Sequence, residues 1–513
     1  MTTGRSGRLF PLLFAAFAAT SAAPALAQTA DPPGATYHVA GVTAYDPAEI
    51  LGFAAHLAAE RSGTVSAEAL AAAIRTIYHE DGHFLAEVFV AADGRTLIVD
   101  EGVIGDVVIE GVDAATFRLI RSYVAPVVGT PAVTLDAFER AIMLVEDIGG
   151  ISAAAEIDYA PGADTASLRI VATGQDRSAG RVTLDHPARD LGEAATVTVE
   201  QSFLGALTPG DMLRFEIAGT RDFDSGDRTL FAAGTYRFPI AGAGAYGEAY
   251  LGNVTARRDA RGALLETDIA GNTAILALGY PVLRDVERYG YALFDLRRSE
   301  TDVDVGAAAF DSAVEVVGGS WIFGKTLQGG GAYEYALNLS AGRRTTTPAG
   351  FDDGDETFWH LRFGAGFSRP VTWLGPETSL RAEVWGQYSP DRLPAIEEFH
   401  LGGREDERGY VFAEAQGDSG LSATVELGRD LFPASGPAEY LRPFGFLDAG
   451  FVRNNDPSAG EIRTETLASI GIGIDAGFAG NLHMRSHLSV PLSDGPRTGA
   501  GDPALYLSLT KSW

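Results

Sequence analysis

Three short stretches of this 513-residue chain carry residue types at spacings that could do chemistry. His79, Glu80 and His83 fit the His-Glu-x-x-His pattern, in which two imidazoles one helical turn apart hold zinc and the glutamate works on the metal-bound water. Gly82 falls inside the pattern as a helix stop, and Gly150 stands at the equivalent place in a second copy of the segment. His83 is therefore expected to begin a strand, which parts the two histidines and leaves no metal site. Gly417, Asp418, Ser419 and Gly420 have the composition of a serine-protease nucleophile segment, but no His and Asp context accompanies them and the chain has no cysteine framework. A turn into a strand is expected there. Gly242, Gly244 and Gly247 match the dinucleotide fingerprint, yet Glu248–Leu251 continues in a β pattern; without a helix N-terminus there is no phosphate cradle, and a hairpin turn is expected. No catalytic residue, cofactor or metal is expected, and the chain is read as not an enzyme.

The elements that position the remaining polar residues are of two kinds. Near the N-terminus a pattern repeats with an offset of 68 residues: Val65 and Ser66 align with Val133 and Thr134, Ala73 and Ile74 with Ala141 and Ile142, and Gly82 with Gly150. Each copy reads strand, helix, helix, strand, strand. In the first, Tyr37–Val42 is a strand, Pro47–Glu60 and Ser66–Tyr78 are helices, and Phe84–Ala91 and Arg95–Val99 are strands, with Ser66 as N-cap. The second runs from about Ile104 to Ala172, capped by Thr134 and stopped by Gly149 and Gly150. Both are small for an independent core and should be compact, marginal modules.

From Arg177 onward the period changes to two. Trp359, Leu361, Phe363, Ala365 and Phe367 share one face while His360, Arg362, Gly364 and Gly366 share the other. Leu482, Met484, Leu488, Val490 and Leu492 alternate in the same way with His483, Arg485, His487 and Ser489, and Ile470, Ile472 and Ile474 alternate with Ser469, Gly471, Gly473 and Asp475. Apolar to lipid and polar or small to the lumen is the pattern of a membrane barrel strand. A soluble sandwich would bury the apolar stripe under a second sheet and rarely puts Arg and His opposite it. The 336 residues from 178 to 513 accommodate 16 antiparallel strands, and the last ends on Trp513, an aromatic suited to an interface girdle.

The compartment agrees with a barrel. Arg5 and Arg8 precede an apolar run, Leu9–Ala23, and Ala25, Leu26 and Ala27 form a small-x-small cleavage site before Gln28, so residues 1–27 read as a signal peptide. The run falls short of the roughly 20 apolar residues that span a bilayer as a helix. The absence of cysteine removes disulfides, thiol nucleophiles and thiolate metal sites in an exported chain. With 39 basic and 68 acidic residues the net charge is −29, or −31 once Arg5 and Arg8 are removed, which opposes nucleic-acid binding.

Two further motifs follow. Leu401-Gly402-Gly403-Arg404-Glu405-Asp406-Glu407-Arg408-Gly409-Tyr410 is trailed by Gly417-Asp418-Ser419-Gly420, and Phe446-Leu447-Asp448-Ala449-Gly450 lies on a later strand. With these motifs the chain resembles a two-partner secretion transporter of the haemolysin secretion/activation type, within the outer-membrane POTRA-barrel superfamily. The resemblance covers nearly the whole mature chain and implies α+β POTRA-like domains at 28–102 and 103–173, then an all-β barrel of about 16 strands at 174–513. The first motif resembles the family's inward-folded loop, between the eleventh and twelfth strands, carried here by Gly402, Gly403, Gly409, Tyr410, Gly417 and Asp418. The second resembles a lumen-lining strand, with Phe446 and Gly450 beside Asp448. An aspartate facing the lumen needs a partner; Arg408 on the loop supplies one, and a bidentate guanidinium–carboxylate pair would pin loop to wall. Glu407 departs from the family, which has an aliphatic residue there. About ten residues between the cleavage site and the first strand leave no room for the plug helix of some members, so the loop alone is expected to block the lumen.

The resemblance further implies an outer-membrane location with the N-terminal domains in the periplasm. It implies capture of a secreted exoprotein through that protein's N-terminal secretion domain, and its passage through the barrel without ATP. The other partners expected are outer-membrane lipid and, during insertion, the barrel-assembly machinery reading Leu507, Leu509 and Trp513. The alternative reading is an outer-membrane insertion and assembly factor, which usually carries more POTRA-like copies than two.

Overall fold

Asp46, Ser66, Asp113 and Thr134 start the four α-helices among the described residues of the N-terminal part. Each holds an extended backbone and turns its side-chain oxygen onto free N–H groups of the first turn, Asp46 onto Ala48 and Glu49, Ser66 onto Ala69, Asp113 onto Ala115 and Thr116, and Thr134 onto Ala137. The helices are α1 (Pro47–Ser62), α2 (Ala67–Glu80), α3 (Ala114–Val124) and α4 (Leu135–Glu146). The structure is a computed structural model and describes residues 36–63, 65–158, 165–186, 194–240, 242–259, 265–348, 354–433, 436–457 and 462–513. The expected signal peptide and its cleavage site lie outside the described residues. The chain divides into two compact units, Met1–Gln175 and Asp176–Trp513.

In the first unit, β1 (His38–Ala40), β2 (Glu87–Val90) and β3 (Thr96–Asp100) form a sheet in the order β1-β3-β2, with β1 parallel to β3. α1 and α2 close over it and bury Ile50, Leu70, Ile74 and Tyr78 with Leu97. β4 (Ile104–Glu110), β5 (Ile151–Asp158) and β6 (Ala166–Gly174) repeat the arrangement in the order β4-β6-β5, around Ile104, Ile120, Phe138, Ile142, Leu168 and Ile170.

Two details of the first module differ from expectation. The strand expected from Phe84 begins only at Glu87, and His83 lies in a turn rather than a strand. The Gly82 carbonyl accepts Leu135 N–H at 2.8 Å, His83 Nδ1 lies 2.6 Å from the Ala132 carbonyl, and Phe84 packs on Phe138 at 5.6 Å between ring centres. The joint to the second module thus claims this segment, a tertiary demand that local periodicity does not carry. His79 Nε2 meets the Ala86 carbonyl at 2.9 Å, so the two imidazoles are engaged with different carbonyls. The strand expected over Tyr37–Val42 narrows to His38–Ala40, because Gly41 turns at φ +85° where a side chain would collide with the Val99 carbonyl.

The second unit begins with eleven successive antiparallel strands. They are β7 (Ser178–Asp185), β8 (Ala194–Leu204), β9 (Met212–Asp222), β10 (Arg228–Pro239), β11 (Tyr246–Arg258), β12 (Thr267–Arg284), β13 (Arg288–Val305), β14 (Ala308–Thr326), β15 (Ala332–Thr347), β16 (Thr357–Pro370) and β17 (Thr378–Tyr388). Three short strands then leave the wall: β18 (Phe399–Leu401), β19 (Gly403–Tyr410) and β20 (Ala415–Gly417). β21 (Ser419–Arg429), β22 (Ala438–Arg453), β23 (Thr464–Phe478), β24 (Leu482–Pro491) and β25 (Ala504–Ser512) complete it, and β25 pairs with β7 to close a 16-stranded barrel.

Closure satisfies every edge, which is what a sheet needs to cross hydrocarbon. The alternation falls as expected: Trp359, Ile472 and Leu488 face outward, whereas His360, Ser469 and His487 are buried on the inner side. Gly247 falls inside β11, paired with Phe238, whereas Gly242 and Gly244 lie between β10 and β11 at φ +83° and +79°. They make a turn, as expected of glycines that need the left-handed region. A barrel of this size leaves an aqueous channel unless something fills it.

Candidate functional site

The filling is the segment between β17 and β21. β18 and β20 pair antiparallel, Phe399 opposite Gly417, and form the stem of a hairpin whose inner limb is β19. Gly402 makes the bend into β19 at φ +90°, with Val411 and Glu414 packed where a side chain would stand. Gly403 and Gly409 also hold positive φ, +144° and +105°. These glycines let the limb lie flat on the wall: a side chain at Gly409 would press on Ser489 and Pro491 of β24. Tyr410, beside it, donates its hydroxyl hydrogen to the Ala468 and Ser493 carbonyls, 2.9 and 2.7 Å away.

Arg408 and Asp448 meet. Arg408 Nε donates to Asp448 Oδ2 at 2.9 Å and Nη2 to Oδ1 at 2.8 Å, while the Arg408 backbone N–H adds a third bond to Oδ2 at 3.0 Å. Both side chains are buried. The fork geometry is the strong, directional form of the ion pair. Phe446, two residues before Asp448 and therefore on the same face of β22, lies under the guanidinium with 3.4 Å from its carbon to the ring centre. Gly450, two residues after Asp448, leaves space for the Glu407 carboxylate and the Leu401 side chain. The Phe-x-Asp-x-Gly spacing thus supplies a floor, a counter-charge and a vacancy on alternate residues of one strand.

Glu407 has a seat of its own. It is buried at φ +39°, accepts the Ser422 hydroxyl at 2.7 Å and accepts the Gly402 N–H at 3.1 Å. A polar residue is accommodated because the wall and the bend both offer it donors. Asp418 ties the ends of the segment, with Oδ1 taking Leu393 N–H and Oδ2 taking Asn455 N–H, each at 2.6 Å. Gly417 packs directly on the Arg453 backbone. Leu507, Leu509 and Trp513 stand elsewhere, exposed at the last strand and the chain end.

Residues 300–476 match the family model described as haemolysin secretion/activation protein ShlB/FhaC/HecB. This segment belongs to that family. It contains the hairpin, Arg408 and Asp448. Solved structures carry the same architecture at low identity. CdiB from Escherichia coli is 17% identical, with a TM-score of 0.76 over 96% of this chain and 93% of that one. CdiB from Acinetobacter baumannii is 12% identical, with a TM-score of 0.74 over 95% and 91%. BamA from Haemophilus ducreyi lacking POTRA domains 1–3 is 14% identical, with a TM-score of 0.53 over 86% and 93%. No curated protein sequence matches. The chain is an outer-membrane β-barrel with periplasmic N-terminal domains, and over residues 300–476 it is similar to the two-partner secretion transporters. No helix among the described residues is long and apolar enough to cross a membrane.

Sequence reasoning missed the wider charge lattice around this hairpin. Glu426 on β21 accepts Arg485 Nη2 at 2.9 Å and lies 3.4 Å from Arg408 Nη1, and Arg485 also reaches Asp475 at 3.0 Å. Arg404 on β19 donates to Asp185 on β7 at 2.7 Å, and the Tyr506 hydroxyl of β25 donates to the same carboxylate at 2.6 Å. Period two places Glu426 and Arg485 on the inner face, and this was the one signal available. Which inner residues meet is decided by closure.

Proposed function

We propose that this chain is the transporter of a two-partner secretion pair: the N-terminal domains capture a secreted exoprotein in the periplasm, and the barrel passes it outward without ATP. The observation that carries the reading is the lumen hairpin fixed by Arg408 and Asp448, a stopper with a defined release point. A nutrient pore needs no such device. The domain limits are 28–102, 103–173 and 174–513. β5 is an edge strand of the second module, and an extended cargo segment can pair with such an edge. The periplasm has no ATP pool, so net movement draws on folding of the cargo outside and weak successive binding within. Leu507, Leu509 and Trp513 form the signal read by the barrel-assembly machinery, outer-membrane lipid surrounds the wall, and neither catalysis nor nucleic-acid binding is part of the role.

The test is to express the chain with a large exoprotein encoded in a neighbouring reading frame and to follow that protein in the medium. Secretion should require this chain and should stop on deletion of Ile104–Ala172, although the barrel still inserts. Normal secretion by the deleted protein would sink the capture role. Loss of other outer-membrane barrels on depletion, with no effect on the exoprotein, would establish the insertion-factor alternative instead.

A further inference from the structure

We propose that Glu397 is a second mooring of the lumen hairpin, independent of Arg408, and the hinge about which the hairpin swings when the pore opens. The proposal rests on the transporter reading above.

Glu397 ends a short turn, Ala395–Glu397, just ahead of β18. Its carboxylate is 1% exposed, yet it sits on a channel wall among cations. Arg297 Nη2 of β13 reaches Oε1 at 2.6 Å, and His360 Nε2 and Arg362 Nη2 of β16 reach Oε2 at 3.2 and 3.1 Å. The backbone carbonyl of the same residue accepts Arg362 Nη2 at 2.9 Å and Gln387 Nε2 of β17 at 3.0 Å. A carboxylate taken out of water is costly unless charge and hydrogen bonds replace its hydration. Here three strands supply both.

The location sets this contact apart from the one already described. The anionic partners of Arg408 stand on β21 and β22, whereas the partners of the Glu397 carboxylate and carbonyl stand on β13, β16 and β17. Asp418, by holding Leu393 N–H, draws the two ends of the segment together, so residues 394–417 form a loop with a closed neck. Glu397 lies just inside that neck and Arg408 near the far end. Releasing Arg408 therefore frees the tip, while Glu397 keeps the root on the wall. Removing the Glu397 charge leaves Arg297 and Arg362 facing each other without their shared anion, which drives the root off the wall.

The chain has no cysteine, so two introduced ones are the sole attachment points for spin labels. In the full-length protein in lipid vesicles, one pair joins Ile396→Cys to Asp302→Cys and reports the root. The other joins Glu405→Cys, exposed near Arg408, to Asp302→Cys and reports the tip. Glu397→Gln should cost the root pair its single narrow distance peak and leave the tip pair narrow. Arg408→Ala should do the reverse. If Glu397→Gln fails to insert, as read by heat-dependent gel mobility, Arg297→Gln carries the same expectation from another strand. A root distance unchanged in the inserted variants overturns the proposal, as does a tip that loosens together with the root. Unchanged distances with exoprotein still secreted would remove the mooring and leave the transporter; altered distances with no exoprotein ever secreted would remove the transporter and leave the mooring.

Discussion

The Arg408 guanidinium lies over the Phe446 ring, 3.4 Å from its centre, while its edge grips Asp448 two residues along the same strand. Face and edge are both used, so the site asks for a planar cation and not only for a positive charge.

Arg408→Lys should therefore fail almost as badly as Arg408→Ala. Either removal of a buried partner costs about 3–5 kcal/mol of local fixation, and secretion should drop at least roughly tenfold, the equivalent of about 1.4 kcal/mol. Insertion and heat-dependent gel mobility should stay intact. Asp448→Ala should match Arg408→Ala, and the double variant should be no worse than the worse single, as expected for one shared contact. Additive losses would mean that the residues act separately.

Gly450→Ala tests the vacancy beside this pair. The new methyl collides with the Glu407 carboxylate and crowds Leu401, so the hairpin must lift. Secretion should fall as in Arg408→Ala. Adding Glu407→Ala removes the colliding atoms and should restore part of the loss. No recovery in the double variant would place the strain elsewhere.

Planar bilayers read the stopper directly. The intact protein should pass small, fluctuating currents, because the hairpin occupies a lumen that 16 strands would otherwise leave open. Deleting Gly403–Ala415 should give large, steady currents. Large, steady current in the intact protein would point to a simple porin.

The first module should carry an acid-sensitive lock at Glu101. Burial pushes this carboxyl up, but bonds from the Thr43 hydroxyl and N–H, from Ala44 N–H at 2.9 Å and from the Tyr78 hydroxyl at 2.7 Å outweigh burial and hold it below the ordinary value. A folded value below the unfolded one gives stability above the unfolded value of about 4.3 that is lost as pH falls through the folded value. Glu101→Gln should cost about 1–3 kcal/mol at neutral pH, and less once acid has protonated the wild type. Limited proteolysis of α1 and α2 against pH measures both; a pH-independent difference would discard the lock.

The edge β5 can be probed with two neighbouring prolines, Ala154→Pro and Ala155→Pro. On an antiparallel edge strand successive N–H groups point alternately into the sheet and out of it. One substitution should destabilise the module, and the other should leave it folded while abolishing exoprotein capture in a pull-down. Full capture by both would place recognition away from this edge.

The sequence by itself determined whatever repeats or alternates along a few consecutive residues. Period two gave the wall and the inner or outer face of His360, Arg485 and Asp448, because a strand turns successive side chains to opposite sides whatever surrounds it. The 68-residue offset gave two modules, and the cap residues gave helix starts at Ser66 and Thr134, since both depend on local backbone chemistry. Tertiary structure alone decided who meets whom. Arg297 reaches Glu397 across 100 residues and Arg404 reaches Asp185 across 219, and in the sequence each is simply one polar residue on an inner face or loop. His83 and Phe84 left their expected strand for the same reason: the pull came from Ala132 and Phe138 in another module. A strand fixes the direction in which a side chain points, whereas closure of the barrel and docking of the modules fix what stands opposite.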